Sequence, residues 1–458
     1  MSSISHLNVP ASWQVGSIGR VRRWRAGDYA AVLVGLGAGA VVGSTWIMSQ
    51  DVWSTSGGPI TVIGSLTAML GTYLSLVLIL VVARVPWLER DIGQDRLVSF
   101  HRRLAPWVVG LIVAHVFFTT LGYAQASSRN FLAEFTSIVL GYPWLVPATL
   151  SLVLIVGLSL FSIRRARSHV RYETWWVAHL YLYLAVALAF GHQLTAGSMF
   201  AAHPWARISW IALYVVVAVT VIGSRVALPV VRALRHRLRV ESVTHDSDGV
   251  VTISMTGRHL DRYPGRGGQF FEWRFLTRDW WWQAHPYSLS AAPDGRHLQI
   301  TVKALGDQSA ALAHLRPGTR VVAEGPYGVF HPSRTARGPL VALAAGVGVA
   351  PVKALLDDVP AGRDVVVIYR VVRLDPGAVA MREEVERLVA ERGWQLHYLT
   401  GEIDECVMDG ARLTSFAPRL AEADVFVCGP ERFIKKVLAA AATVGVPKDR
   451  IHHELFVF

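Results

Sequence analysis

At 458 residues the chain has room for two or three domains, and a 52% hydrophobic content against 17% charged residues excludes an ordinary soluble protein. The net charge of +12 would suit nucleic acid, but the arginines gather at the ends of apolar runs, where they meet anionic headgroups and set topology. Membrane lipid is therefore the expected partner, and nucleic acid is excluded. Cys406 and Cys428 are the only cysteines, too few for a disulfide framework or a four-cysteine iron–sulfur cluster, so histidine is left to hold any metal.

Met1–Arg25 is polar and basic and no small-residue cleavage pattern follows the next apolar run, so the first span is expected to stay in the mature chain. Six apolar runs come before residue 230: Tyr29–Ser49, Ile60–Val82, Leu104–Gly122, Trp144–Ile163, Thr174–Leu194 and Ile208–Val230. Each approaches the ~20 residues with which a helix crosses the hydrocarbon core. Arginines cluster in alternate connections: Arg20, Arg22, Arg23 and Arg25; Arg84, Arg90, Arg96, Arg102 and Arg103; Arg164, Arg165, Arg167 and Arg171; Arg232, Arg235, Arg237 and Arg239. The other connections hold few, such as Arg129 and Arg207, and the positive-inside rule then puts both termini in the cytoplasm.

After Arg239 the texture becomes short alternating segments such as Val250–Met255 and Leu298–Val302, the pattern of a small antiparallel barrel. Beyond Gly338, apolar strands at Leu340–Ala344, Val365–Ile368 and Val425–Val427 alternate with helical stretches, as in a doubly wound nucleotide-binding domain. The fold expected is a multi-domain membrane protein: a six-helix transmembrane bundle, then a small antiparallel β-barrel, then an α/β doubly wound domain. Its divisions are a basic N-terminus over 1–27, the transmembrane domain over 28–232, the barrel over 236–335 and the nucleotide domain over 336–458.

Four histidines lie inside the spans, His101 and His115 on the third and His179 and His192 on the fifth. Intramembrane ionisable groups are costly and mark function. The third-span pair is separated by 14 residues, about 40° short of four full turns, so both rings project from nearly one face, ~21 Å apart along the axis. The fifth-span pair is separated by 13, about 140° apart on an ideal helix, so a tilt, a bulge near Gly191 or a frayed end is expected there. Depth pairs His101 with His179 and His115 with His192. Two bis-histidine sets suit two stacked haems, while each level offers too few ligands for structural zinc.

This arrangement resembles the NADPH oxidase and ferric reductase superfamily, whose transmembrane domain carries haem ligands on its third and fifth helices. The resemblance makes His101, His115, His179 and His192 the axial ligands of two b-type haems and implies a bacterial-type flavocytochrome of the plasma membrane. Some family oxidases carry a further polar residue one turn beyond the outer third-helix ligand, where Thr119 stands here.

His285-Pro286-Tyr287-Ser288 looks like the flavin-binding strand of the ferredoxin–NADP reductase fold, and it starts with histidine, as in the membrane branch. Lys303 and Ser309 resemble the segment that closes on the FAD pyrophosphate. Gly346-Val-Gly348-Val-Ala-Pro351 follows a strand and opens a helix, where glycines admit a phosphate. Glu324-Gly-Pro-Tyr-Gly328 and Cys428-Gly429-Pro430 resemble the other two nicotinamide-domain signatures, with Cys428 near the nicotinamide. Glu454-Leu-Phe456 is similar to the ending that covers the flavin, with Phe458 the other candidate to stack on it. Arg370 and Arg373 follow the second strand of this domain with no acidic residue expected at its end, favouring the 2′-phosphate of NADPH over NADH, though the acidic stretch from Thr400 runs the other way. Trp280–Trp282 is read as packing. The implied activity passes electrons from NAD(P)H through FAD and two haems to an extracytoplasmic small molecule, oxygen giving superoxide or peroxide, or a ferric chelate. The alternative is an electron-delivery subunit for a separate extracytoplasmic redox protein.

Overall fold

The computed structural model describes residues 26–163, 170, 172–195, 199–247, 249–332, 338–375, 379–401 and 408–455. The membrane half comprises α1 (Ala26–Met48), α2 (Gly58–Val81), α3 (Gln94–Ser127), α4 (Leu145–Phe161), α5 (Tyr172–Thr195) and α6 (Pro204–Ile222). The last of these continues through a π-helical turn at Gly223–Ala227 into α7 (Leu228–His236).

Five helices are long and apolar enough to cross a membrane. The fourth expected span departs from the reading: α4 follows a helix at Phe131–Gly141 that is bent 118° from it, and the count reaches six only if that pair is taken together. The cause is local. Pro143 forces Tyr142 into extended backbone, and Trp144 takes a φ of +66°, so the helix cannot run through. Of the arginine clusters, Arg20, Arg22, Arg23, Arg25, Arg164, Arg165, Arg167 and Arg171 lie outside the described residues.

Helices α2 and α3 approach closely because small residues face each other. A Cβ at Gly64 would stand 2.4 Å from Thr119 Oγ1, and one at Gly122 would stand 2.2 Å from Thr61 Oγ1. Without a hydrophobic drive between helices in lipid, such close packing is what holds a pair together.

Beyond α7, β1 (Arg239–Ser247), β2 (Val250–Thr256), β3 (Phe270–Phe275), β4 (His285–Ser288), β5 (His297–Lys303) and β6 (Val321–Tyr327) form two three-stranded antiparallel sheets, ordered β1-β2-β5 and β4-β3-β6. Their alternating apolar residues, among them Ile253, Phe271, Trp273 and Ile300, fill one core. A parallel sheet follows, ordered β11-β10-β7-β8-β9: β7 (Leu340–Ala345), β8 (Val365–Val371), β9 (Gln395–Thr400), β10 (Asp424–Gly429) and β11 (Ile451–Leu455). Helices α8 (Val349–Asp357) and α9 (Arg382–Arg392) pack on one face through Val352, Leu355, Val385 and Val389, and α10 (Glu431–Thr443) packs on the other through Phe433, Ile434 and Val437. Apolar runs buried on both sides are what a covered parallel sheet requires.

Candidate functional site

The four membrane histidines meet across the gap between α3 and α5. His101 and His179 stand 6.3 Å apart between ring centres, and His115 and His192 stand 6.4 Å apart. Two imidazoles that each place a nitrogen ~2 Å from a shared metal stand roughly 6 Å apart, centre to centre. Both pairs meet that condition. The second nitrogens are turned outward: Nδ1 of His101 donates to the Leu78 carbonyl at 3.3 Å and Nδ1 of His115 to the Gly64 carbonyl at 3.0 Å, with Thr119 Oγ1 at 3.1 Å. A carbonyl only accepts, so Nδ1 carries the proton and Nε2 keeps its lone pair for a ligand. The His115 bond depends on Gly64, since only the close approach of α2 brings that carbonyl within reach.

The expected correction in the fifth span takes a different form. Helix α5 is continuous, with no bulge at Gly191; instead a Cβ there would stand 2.6 Å from the Trp144 ring. The glycine makes room for Trp144, and His192 reaches His115 from a regular helix. Its Nδ1 is buried beside the Ala189 carbonyl without a hydrogen bond of standard geometry. Among the described residues no group of three or more His, Cys, Asp or Glu side chains is placed to hold a metal, so the donors come only in facing pairs.

A buried ionic network ties the membrane half to the barrel. Arg84, just past α2, reaches Glu272 of β3 at 2.5 Å and Glu324 of β6 at 3.3 Å; Arg225 reaches Glu324 at 3.3 Å. Tyr327 donates to Glu324 at 2.8 Å beneath the Arg84 guanidinium, and Arg232 donates to the Gly325 carbonyl. Burial works against the charge on Arg84, yet Glu272, Tyr327 and Glu324 hold its pKa above the ordinary value. Sequence reading counted Arg84 and Arg232 only as topology signals. Glu272 went unnoticed because nothing local distinguishes it from a barrel surface residue.

On the barrel, one cleft brings together Pro286, Tyr287 and Ser288 of β4, Lys303 of β5, Val347 of the glycine turn, and Ala350 and Pro351 of α8. The strand motif and the glycine motif, 60 residues apart in the numbering of His285 and Ala345, thus share a wall. Burial pushes the Tyr287 phenol up to about 12, so it stays a neutral hydrogen-bonding group. The His285 ring lies 6.2 Å from that of Tyr287. Ser309 is elsewhere occupied: its hydroxyl accepts from the Leu305 and Gly306 amides and donates to the Gly306 carbonyl, closing a tight turn. Trp281 and Trp282 are exposed at 61% and 47%, so the packing read for Trp280–Trp282 falls to Trp280, which is half-buried.

In the α/β domain, Gly346 and Gly348 follow β7 beside Cys428 and Gly429 at the end of β10. Here the strand order reverses, the crevice where open parallel sheets bind ligands. Gly346 has a φ of +56°, and a Cβ at Gly348 would stand 2.5 Å from the Cys428 carbonyl, so both glycines are required. Cys428 is fully buried, and burial together with the Glu454 carboxylate keeps its thiol protonated. Glu454 is its register partner on β11, while Pro430 precedes α10. Phe456, Phe458, Cys406 and residues 402–407 of the acidic stretch lie outside the described residues. The two arginines divide. Arg370 is buried and donates to the Gly401 carbonyl at 2.5 Å, whereas Arg373 is 75% exposed and pairs with Asp375 at 3.2 Å. No acidic side chain ends β8 itself; Asp375, the partner of Arg373, stands four residues beyond Val371 on the exposed loop.

Residues 67–190 match the family described as ferric reductase like transmembrane component. The chain is also similar to a flavohemoprotein of Vibrio cholerae serotype O1, 29% identical over 180 residues, covering 37% of this chain and 45% of that protein. A stachydrine N-demethylase reductase subunit of Rhizobium meliloti is 30% identical over 185 residues, covering 37% and 52%. The chain thus spans about half the length of the curated relatives it matches. Among solved structures, the flavohem-like FAD/NAD-binding domain of nitric oxide dioxygenase from Vibrio cholerae O1 biovar El Tor is 24% identical with a TM-score of 0.40, covering 48% of this chain and 99% of that one. The transmembrane match and the apolar helices make this an integral membrane protein.

Proposed function

Because the chain joins a ferric reductase-like transmembrane component to a ferredoxin–NADP reductase-like FAD/NAD-binding module, we propose that it is a transmembrane NAD(P)H-dependent oxidoreductase that reduces an extracytoplasmic small molecule, either oxygen or a ferric chelate. The observation that carries this reading is the pair of facing imidazole sets at 6.3 and 6.4 Å. Haem would need only two nitrogens from the protein, so donors that come in facing pairs would suit it where a four-ligand zinc site would not be served. When bound, FAD converts a two-electron hydride into single electrons, and haem accepts them one at a time.

The residues of the chain supply the positions. His101 and His179 would hold the inner haem, and His115 and His192 the outer. Tyr287, Ser288 and Lys303 would hold FAD in the cleft, and Gly346, Gly348 and Pro351 would admit the nicotinamide coenzyme beside Cys428. The Arg84 network holds the barrel against the inner ends of α2 and α6, on the side of the membrane that the arginine pattern assigns to the cytoplasm. The purified protein should show a low-spin bis-histidine spectrum with two haems per FAD. Replacing His101 or His179 should remove one haem while NAD(P)H still reduces the flavin. Full haem content in both variants would refute the ligand assignment. In sealed vesicles, reduced protein should pass electrons to oxygen or ferric chelates on the far face; protein that stays reduced toward both instead has a separate extracytoplasmic redox protein as its acceptor.

A further inference from the structure

Ser162, at the end of α4, makes three polar contacts that together determine the chemistry of one histidine. Its hydroxyl donates to the Leu158 carbonyl at 2.7 Å, the shortest of the three, which commits its only proton. Two lone pairs remain. One accepts the Trp175 indole N–H at 3.2 Å, and the other faces Nδ1 of His179 at 3.2 Å. An oxygen with its proton committed can only accept, so Nδ1 of His179 must be the protonated nitrogen and Nε2 the unprotonated one. The Trp175 ring also stacks on that imidazole, 5.1 Å between centres at 25°. His192 has no equivalent: its Nδ1 is buried without a hydrogen bond of standard geometry.

We propose that Ser162 is a positioning residue for the inner haem, fixing the tautomer of His179 and making its imidazole a stronger electron donor, with Trp175 moderating that effect. This rests on the haem reading above. A ligand histidine that donates its other N–H becomes more basic and stabilises the oxidised metal, which lowers the site's potential. Trp175 draws on the same oxygen and weakens it as an acceptor for His179. The two side chains therefore act with opposite sign.

The test is an optical redox titration of the full-length, haem-loaded protein in detergent, alongside its haem-to-chain ratio. Ser162→Ala should raise the inner potential by the equivalent of about tenfold in the reduction equilibrium, ~59 mV for one electron, leaving the outer haem unmoved. Ser162→Thr should restore it, and Trp175→Phe, which keeps the ring and removes the N–H, should shift it downward. Loss of the inner haem in Ser162→Ala with recovery in Ser162→Thr would support the same role through occupancy. Unchanged potentials in a fully loaded Ser162→Ala, or shifts of the same sign in the Ala and Phe variants, would overturn the proposal while leaving the haem reading intact. A wild-type protein that takes up no haem would overturn both.

Discussion

Arg84→Ala should loosen the barrel from the membrane half without disturbing either flavin or coenzyme binding. Removing one partner of a buried ion pair costs about 3–5 kcal/mol, because the other charge is left desolvated. Here Arg84 is 13% exposed, Glu272 21% and Glu324 13%, and Arg225 stays beside Glu324, so partial screening and the surviving partner bring the cost down to roughly 2 kcal/mol. That corresponds to about a thirtyfold shift in the docked-to-undocked equilibrium. Amide hydrogen exchange should show it as faster opening where β6 meets α7, and NADPH-driven haem reduction should slow while flavin reduction keeps its rate. Adding Glu272→Gln to Arg84→Ala should cost little more than Arg84→Ala alone, since the carboxylate would no longer be stranded. Unchanged exchange in Arg84→Ala would refute the idea that this network holds the two halves together.

The same network sets a pH dependence. Burial alone would raise the Glu324 pKa, but Arg84 and Arg225 hold it below its ordinary value of 4.5. A carboxylate depressed in the folded protein stabilises it at pH values above that ordinary value, and the contribution disappears as pH falls through the depressed one. Docking should thus be insensitive to pH between about 6 and 8, above the range in which Glu324 takes up a proton, and fail under acid.

Arg373→Ala should weaken NADPH more than NADH, by roughly 1.5–3 kcal/mol if its guanidinium contacts the 2′-phosphate, whereas Arg370→Ala should affect both coenzymes alike because that side chain holds the Gly401 carbonyl; equal losses for Arg373→Ala would show that it reads no phosphate. Cys428 should resist a maleimide at pH 8 until the protein unfolds, about as its raised thiol pKa and complete burial demand, and rapid native labelling would contradict its placement. Gly64→Val should drive α2 from α3, since its Cβ would stand 2.8 Å from the Thr119 backbone nitrogen, costing roughly 1–3 kcal/mol and lowering outer-haem content; full occupancy with unchanged stability would mean that the helices can separate without harm.

What the sequence showed was whatever a single element carries within itself. The six apolar runs, the barrel texture and the doubly wound domain follow from periodicity and from punctuation by glycine and proline; the barrel and the doubly wound domain have the expected architecture, and the membrane region departs from it at the fourth span. His101 and His115 could be placed on one face because both belong to α3. The motif at His285–Ser288 and the turn at Gly346–Gly348 could be read for the same reason, each being a strand or turn with its chemistry in consecutive residues. The broken fourth span had a signal, Tyr142-Pro143-Trp144, that an apolar count passes over.

What escaped depends on partners distant in sequence. Arg84 and Glu324 are separated by 240 residues, and neither has a neighbour that announces the other. Gly64, a small residue in an apolar run, matters only because α3 comes close enough for His115 to use its carbonyl. The 13-residue spacing on α5 looked like a fault when that helix was considered alone, and the structure meets it with a continuous helix and a tryptophan seated against Gly191. Angular position on one ideal helix fixes where a side chain leaves its own axis; where it arrives depends on how the facing helix crosses. A ligand pair is a property of two helices, so facing rings at nearly equal separations on two levels, 6.3 and 6.4 Å, say more about the site than either spacing does.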